Sequence, residues 1–249
     1  MDWGGKLGYN GAKGRGFMEF NEKIHAFIAA RYYVRLTETL GDRGRAAFIQ
    51  ATQTYAEQRG KRMAKRAIRD GQELTFANYL RYGEWVPSRE LTEAGQSNRS
   101  EVVSWSPDYS IRIHRCPWHL QFLEMGLTGA GEEYCRHLDN SICRGFNPYL
   151  TYLVPQTLHR CGCCIQTVPG ADLDPAGDYG KKPEYLRSWT YHCAHLYWSF
   201  AHTARTVFGE PGSAAARGVL EDLSGAYGPD MQDRLAVYRD TDWTDINAK

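Results

Sequence analysis

The sequence contains no run of apolar residues long enough to cross a membrane, and its first twenty residues include no apolar segment of the signal-peptide type. It also has almost no excess charge, since 30 basic and 29 acidic residues leave a formal net charge of +1. Such a chain has no general electrostatic attraction to nucleic acid or to anionic lipid. We therefore expect a cytoplasmic protein whose partners include neither nucleic acid nor membrane.

Signatures of several enzyme classes are missing as well. The sequence has no glycine-rich phosphate loop, no dinucleotide-binding fingerprint and no serine nucleophile elbow. Seven cysteines are an odd number for a chain without a recognisable secretion signal. They indicate free thiols or a metal site rather than a disulfide framework. The function is therefore expected to involve the thiols.

What the sequence does contain is ample material for a buried core. Of its 249 residues, 42% are hydrophobic and 13% aromatic, which argues against disorder. This length fits one domain with helical extensions. We predict a flexible, glycine-rich leader over 1–16 and a single catalytic domain over 17–240.

The period of the apolar residues changes twice along this domain. They recur at helical spacing over 17–86, where Gly41 is expected to end the first helix, and again over 183–240. Within 100–168 they alternate in two predicted hairpins. Strands over 101–105 and 110–114 flank Pro107-Asp108 in the first, and strands over 149–154 and 157–168 form the second. Two further helices are predicted between the hairpins. This order predicts an α+β fold, in which helices pack on a small antiparallel sheet of about four strands.

The second predicted helix begins near residue 46 and carries a stripe of basic side chains: Arg62, Lys65, Arg66 and Arg69. Such a stripe can bind phosphates, but nucleic-acid-binding surfaces also interleave aromatic residues for base stacking, and none interleave here. We favour a solvated helix face. Gly60 is expected to interrupt this helix, and Gly71 to end it.

Six of the seven cysteines lie between residues 116 and 164, so this stretch is the best candidate for a site. Its predicted helix over 132–144 places four side chains within an arc of roughly 80°: Glu132, Cys135, Asp139 and Cys143. If this arc faces a site, Cys135 and Asp139 form its wall, with the carboxylate as general acid or base. The alternative is that the cysteines are small core residues and the carboxylates lie at the edge in water.

Cys116 ends a predicted strand, directly before Pro117 and a predicted helix. A thiol at a helix N-terminus gains a lower pKa and a higher nucleophilicity from the partial positive charge there. His114 and His119 are close in sequence and could act as its base, so Cys116 is a second candidate nucleophile. A buried, inert thiol at a strand end is the alternative.

The long predicted helix over 184–208 has two different faces. Opposite an apolar stripe it carries aromatic, imidazole and hydroxyl side chains: Tyr191, His192, His195, Trp198, Ser199 and His202. Such a face is expected to meet another layer or to line a cavity. We predict that His195 moves protons and that Tyr191, His192 and Trp198 bind substrate. Histidines hydrogen-bonded to the backbone are the alternative.

The run His159-Arg160-Cys161-Gly162-Cys163-Cys164 is the densest group of potential metal ligands. Structural zinc sites usually combine two separated ligand pairs, and a second Cys-x-x-Cys is missing. In a strand, Cys161 and Cys163 would also point away from Cys164. We therefore predict no cofactor and no metal-ligand set, with zinc or another divalent metal left open.

The order of these motifs resembles the L-2-amino-thiazoline-4-carboxylic acid hydrolase family. The resemblance covers roughly residues 20 to 210 and is carried by Cys116-Pro117-Trp118, Tyr134-Cys135, Asp139, Gly145-Phe146-Asn147-Pro148, Cys164 and the later His192–Trp198 segment. It implies hydrolytic opening of a small cyclic amidine, in which water adds to the ring C=N carbon and a carbamoyl product results. The chain departs from the family pattern at Cys161-Gly162-Cys163, where Gly-Asp is expected.

We therefore predict a hydrolase that acts on carbon–nitrogen bonds of a small cyclic amidine bearing a carboxylate. A ring-modifying step of bacterial secondary metabolism is one setting for it. The partner is a small-molecule substrate, and a homodimer is left open. Two other functions are compatible with the same residues: a non-catalytic sensor that binds a small ligand or a metal, and a metal-dependent hydrolase.

The predicted roles follow from the chemistry of the side chains. Cys116 or Cys135 is the nucleophile, and Asp139 or His195 moves protons. Two further residues complete the prediction. Trp118 walls the pocket, and Asn147, at the turn before a proline, donates to the substrate or orients its loop.

Overall fold

The computed structural model describes residues 18–247, so the predicted leader over 1–16 lies outside the described residues. Within this range the chain forms α1 (Glu22–Arg69), α2 (Phe76–Arg81), α3 (Arg89–Glu93), β1 (Arg99–Ser104), β2 (Tyr109–Arg115), α4 (Pro117–Glu124), α5 (Thr128–Phe146), β3 (Leu153–Gln156), β4 (Cys164–Val168), a 3-10 turn (Pro183–Tyr185), α6 (Trp189–Phe208), α7 (Glu210–Tyr227) and α8 (Asp230–Ala236). No helix over 18–247 combines the length and the apolar character needed to cross a membrane.

The four strands form one antiparallel sheet in the order β1-β2-β4-β3. β1 with β2 and β3 with β4 are the two predicted hairpins. In the second one, β3 begins four residues later than the predicted strand over 149–154, and β4 begins at Cys164 rather than at the predicted Thr157, because residues 157–163 form the turn between the strands. The hairpins join through β2 and β4, where Ile113 lies opposite Cys164. The predicted single-domain α+β fold is confirmed.

The first helix begins and bends where its sequence requires. The Asn21 side chain accepts hydrogen bonds from the backbone N–H groups of Lys23 and Ile24, each at 3.0 Å, and so caps the helix N-terminus. Gly41 has φ 57° and ψ −135°, a conformation that breaks the helical path. The predicted helix end at Gly41 is therefore observed as a kink between two helical segments.

The predicted interruption at Gly60 is wrong, because α1 continues through it to Arg69. Gly60 instead allows α1 and α5 to pack closely. A Cβ atom at Gly60 would lie 2.0 Å from the carbonyl oxygen of Ile142, and one at Gly145 would lie 2.4 Å from the carbonyl oxygen of Glu57. The two glycines lie at one helix crossing, where a methyl group on either would clash with backbone.

The prediction of a solvated basic stripe is wrong for two of its four residues. Arg62 and Arg66 are 0% and 1% exposed, and both donate hydrogen bonds to the carboxylate of Glu84. Glu84 lies after α2 and is itself fully buried. A buried arginine requires such a partner, and the partner here comes from a segment whose position a helix pattern does not predict.

The inner face of the sheet lies against α5. Along β4 the buried side chains alternate, as the period of a strand requires: Cys164, Gln166 and Val168. α5 in turn packs on α1, and α4 closes one side between them. A hollow is left between the sheet and these three helices, and it contains the candidate site.

Candidate active site

The hollow has a volume of about 300 Å³, which suits a small ligand. Two cross-strand pairs of β2 and β4 form its floor: Ile111 with Gln166, and Ile113 with Cys164. Its walls come from several elements: Arg59 and Met63 of α1, Tyr79 and Leu80 of α2, Trp85, Cys116, Trp118 and His119, the α5 face with Tyr134, Cys135, Leu138, Asp139 and Ile142, then Tyr152, Thr157, His159 and Lys181. The predicted residues Cys116, Cys135, Asp139 and Trp118 are thus brought together.

Cys135 is paired with a histidine that the sequence did not connect to it. The Sγ atom of Cys135 lies 3.5 Å from Nε2 of His159, which belongs to the turn between β3 and β4. A thiol that donates to Nε2 leaves the imidazole proton on Nδ1, and that buried atom has no hydrogen-bond partner in the described part of the chain. A thiol beside an imidazole is the arrangement of a cysteine nucleophile and its base.

The thiol of Cys135 and the imidazole of His159 are both neutral at pH 7. Burial, followed by the neighbouring Cys116 and Asp139, raises the pKa of Cys135 well above its usual value. Burial, followed by the nearby His119, lowers the pKa of His159 to about 4. Both effects favour thiol and imidazole over the ion pair. A thiolate at Cys135 would therefore require a base, and His159 is the imidazole in contact with it.

Two contacts place the His159 ring. Thr157, at the start of the turn, donates to the carboxylate of Glu132 on α5 and accepts from the backbone N–H of His159 at 3.3 Å. The ring then lies directly on Gly131, where a Cβ atom would approach its Cε1 to 2.2 Å. The carboxylate of Glu132 is therefore a tether for the turn, rather than part of the catalytic wall.

Cys116 shares the pocket with Cys135 but lacks an equivalent base. It is the N-cap residue of α4, and the backbone amides of His119 and Trp118 favour its thiolate. Burial nevertheless outweighs them and raises the pKa of Cys116 to about 11. His114, one of its two predicted bases, points elsewhere and contacts Glu101 at 3.1 Å. The other, His119, lines the same pocket.

Asp139 lies near the sheet end of the pocket and is held by a glutamine. Gln166 donates from Nε2 to Oδ2 of Asp139 at 2.7 Å, and its own Oε1 accepts from the hydroxyl of Tyr152 at 2.7 Å. Burial raises the pKa of Asp139, against the opposing effects of Arg59 and Gln166. Within the described residues Oδ1 accepts no side-chain hydrogen bond, so it is available to a cationic or N–H-bearing ligand.

Several buried polar atoms around the pocket have no hydrogen-bond partner over 18–247: Arg59 Nε, Asn98 Oδ1, Tyr134 Oη and His159 Nδ1. An unpartnered buried polar atom is unfavourable, and proteins usually satisfy such atoms. Four such atoms belong to residues that line this one hollow.

Two of the predicted substrate-binding residues lie elsewhere. Asn147 donates to the carbonyl of Leu74 at 2.8 Å and accepts from the backbone N–H of Tyr149 at 3.0 Å, so it orients its turn. Trp198 donates to the carbonyl of Leu235 at 2.7 Å and borders a different cavity. Both side chains are occupied by the backbone of neighbouring segments and do not contact the pocket.

The sequence predicts that the imidazole face of α6 meets another layer or lines a cavity. Its histidines pack against another layer, and they do not line this pocket. His195 is fully buried, with Nε2 2.9 Å from Gln58 Oε1 and its ring stacked on Trp243. His192 contacts the carbonyl of Glu84 at 3.1 Å, and Tyr191 packs on Trp243 as well. The predictions that His195 moves protons and that His192 and Tyr191 bind substrate are not supported by this placement, because α1 and the C-terminal segment cover these side chains.

These buried histidines make stability depend on pH. Burial lowers the pKa of His25, His192 and His195 well below 6.5. The unfolded chain therefore binds more protons as the pH falls, and the stability that is present above pH 6.5 is lost below it. We expect each histidine to remove about 1 kcal/mol between pH 7.5 and pH 5.5, which urea unfolding at the two values measures.

A matched variant tests this assignment. In His192→Gln the amide N–H can still donate to the Glu84 carbonyl, but the titrating group is gone. We expect the loss of stability between the two pH values to shrink by about 1 kcal/mol, the contribution of one histidine. Equal free energies of unfolding at pH 7.5 and pH 5.5 in the unmodified protein would contradict the prediction.

The cysteine-rich run is not the strand that the sequence pattern predicts, because residues 161–163 form a bend and β4 begins at Cys164. Cys164 is buried and faces the pocket, while Cys161 is exposed and Cys163 is half-buried. All seven cysteines are free thiols. Over residues 18–247, no group of three or more histidine, cysteine or acidic side chains is arranged to bind a metal ion.

The pocket residues that had no place in the predicted site include Arg59, His159, Gln166 and Lys181. Only Gln166 left a usable signal, because it is two residues after Cys164 and therefore shares its face of the strand. His159 was considered only as a metal ligand. Its approach to Cys135 depends on a turn folding back onto α5, which a local pattern does not encode.

Comparison with known proteins agrees with the resemblance seen in the sequence. A family model described as L-2-amino-thiazoline-4-carboxylic acid hydrolase matches residues 21–164, more than half of the chain. The match runs from the start of α1 to the first residue of β4, and the later segment His192–Trp198 lies beyond it. No curated protein and no solved structure matches the chain.

Proposed function

The chain belongs to the L-2-amino-thiazoline-4-carboxylic acid hydrolase family, and from that premise we propose that it opens a small cyclic amidine bearing a carboxylate by thiol catalysis. The Cys135–His159 contact is the observation that carries this proposal. A pocket of about 300 Å³ has room for a five-membered ring with two substituents. We take 2-amino-thiazoline-4-carboxylate as the representative substrate.

In the first step Cys135 attacks the ring carbon of the C=N bond. Its proton passes to Nε2 of His159, a new bond joins Sγ to the carbon, and the electron pair of the C=N bond moves to nitrogen. The ring carbon–sulfur bond then breaks, and the leaving sulfur takes the proton from His159. An isothiourea remains attached to Cys135.

Water completes the reaction. It adds to the same carbon while His159 accepts one of its protons, and the electron pair of the C=N bond moves to the nitrogen, which takes the other proton. A C=O bond then forms as the bond between that carbon and Cys135 breaks. Cys135 recovers its proton, and the product is a carbamoyl compound with a free thiol. One water is consumed and no other reactant is needed.

Asp139 is the proposed partner of the amidine nitrogens. Its carboxylate, oriented by Gln166, can accept their N–H groups and stabilise the cationic form, in which the ring carbon is most electrophilic. A bound cation also favours the ionised form of Asp139 over the neutral form that burial promotes. Cys116 and Cys164 are proposed to wall the pocket as neutral thiols.

The test is to incubate the purified protein with 2-amino-thiazoline-4-carboxylate. We expect one new small-molecule thiol for each ring opened, detected with a thiol reagent after removal of the protein, and a product heavier by one water in mass spectrometry. Release of ammonia without a new thiol would contradict ring opening. Tight binding without turnover would favour the sensor function.

A further inference from the structure

The pocket contains a cation that the thiol chemistry does not use. Arg59 of α1 lines the hollow, is only 8% exposed, and its Nε forms no hydrogen bond within 18–247. An ion-pair contact joins this Nε to Oε2 of Glu84, but at 3.9 Å it is too long for a hydrogen bond. A guanidinium buried without acceptors is unfavourable, so a ligand that supplies acceptors would be bound strongly.

Glu84 cannot neutralise Arg59, because its carboxylate is already occupied. Arg62 donates to both of its oxygens, at 3.0 and 2.7 Å, and Arg66 donates to one of them at 2.7 Å. Among the described residues, this cluster thus sets three guanidinium groups against one carboxylate. The excess positive charge lies next to the pocket, where Arg59 is the member that lines it.

A second cation lines the same hollow. Lys181 donates from Nζ to the carbonyl of Trp85 at 2.5 Å and lies 4.5 Å from the centre of the Trp85 ring. An ammonium group has three N–H donors, and the bond to Trp85 uses one of them, so Lys181 can donate further hydrogen bonds to a ligand. Asp139 is the one acidic residue among the pocket-lining side chains that the structure describes. The lining therefore offers cationic groups for one part of a ligand and a carboxylate for another.

We propose that Arg59 and Lys181 form an anion subsite that binds the carboxylate of the substrate and orients the ring toward Cys135. This deepens the proposed function and rests on it for the identity of the ring. Arginine suits a carboxylate because its planar donors match the two oxygens. With the carboxylate held there and the amidine nitrogens at Asp139, the pocket selects a small zwitterionic ring over a neutral one.

Binding and turnover can be measured separately. Thiazolidine-4-carboxylate has no C=N carbon to attack, so it reports on binding alone. Thiazolidine-4-carboxamide has nearly the same shape, but an uncharged NH2 group replaces one carboxylate oxygen. By calorimetry on the full chain, we expect the carboxylate to bind about 10- to 100-fold more tightly than the carboxamide. Arg59→Gln is expected to remove most of this preference, and Lys181→Gln part of it.

Two controls match these variants. Lys182→Gln removes the neighbouring cation, which pairs with Asp70 outside the pocket, and Arg69→Gln removes an exposed guanidinium on the same helix as Arg59. Both are expected to leave the carboxylate preference unchanged. If Arg59→Gln does not fold, the unmodified protein and Lys181→Gln still decide the question with the two probes.

Equal affinities for the carboxylate and the carboxamide, or no measurable binding of either at millimolar concentration, would overturn the subsite. This result is distinguishable from failure of the proposed function. Turnover of 2-amino-thiazoline-4-carboxylate without a carboxylate preference would remove the subsite and keep the hydrolase. A carboxylate preference without turnover would keep the subsite and remove the hydrolase.

Discussion

Replacing Cys135 by alanine is expected to lower kcat/KM for ring opening by about 10³-fold or more while the fold is retained. The side chain is small and lies at the pocket wall, so its loss enlarges a hollow that already exists. His159→Asn is expected to cost about 10²- to 10⁴-fold, because the proton acceptor is lost. Thiol release from 2-amino-thiazoline-4-carboxylate measures both, and circular dichroism checks the fold.

Gly131→Ala tests the same pair without removing either reactive group. A Cβ atom at this position would come within 2.2 Å of the His159 ring, so the ring must move away from Cys135. We expect a fall in kcat with little change in KM, since the anion subsite and Asp139 are untouched.

The matched control for the thiol is Cys161→Ala, which removes an exposed cysteine that does not line the pocket. It is expected to retain full activity. Full activity in Cys135→Ala would refute the assignment of the nucleophile. If Cys116→Ala alone abolished turnover, the role would pass to Cys116 with His119 as its base.

The second large effect concerns stability. Glu84→Gln is expected to lower the free energy of unfolding by about 3–5 kcal/mol, because it leaves Arg62 and Arg66 buried without a counterion. The Arg62, Arg66 and Glu84 side chains are at most 1% exposed, so solvent screens their charges little. Arginine stays protonated when its partner is lost, so the positive charges cannot be removed by titration. Urea unfolding at pH 7 measures the change.

An exposed ion pair provides the comparison for Glu84. Arg89 and Glu93 are 2.6 Å apart with side chains that are 89% and 62% exposed, so Glu93→Gln is expected to change stability by less than about 1 kcal/mol. Failure of Glu84→Gln to fold agrees with the prediction. A destabilisation no larger than that of Glu93→Gln would show that the buried cluster is neutralised in another way.

The local parts of the fold were predictable. The change from helical to alternating period located the sheet-containing segment, and the hairpin around Pro107-Asp108 is the observed β1–β2 pair. The spacing over 132–143 also placed Cys135, Asp139 and Cys143 on the side of α5 that faces inward. Each of these predictions depends on residues close together in the chain.

The errors arose where the partner of a side chain is distant in sequence. Arg62 and Arg66 read as a solvated stripe because their counterion, Glu84, lies after another helix. Gly60 read as a helix interruption because the α5 backbone it contacts is about 80 residues away. His195 read as a proton carrier because its cover, Trp243, comes from the C-terminal segment.

By itself, the sequence determined the α+β class, the family and the inward face of α5, since period and motif order are properties of neighbouring residues. Only the tertiary structure decided which histidine lies beside which thiol, which cations are buried, and which of the polar faces surrounds the hollow. Those outcomes depend on how α1, α5, the β3–β4 turn and Lys181 are placed in space. The contact between Cys135 and His159 depends on how the β3–β4 turn packs on α5. Local sequence patterns do not encode such a contact.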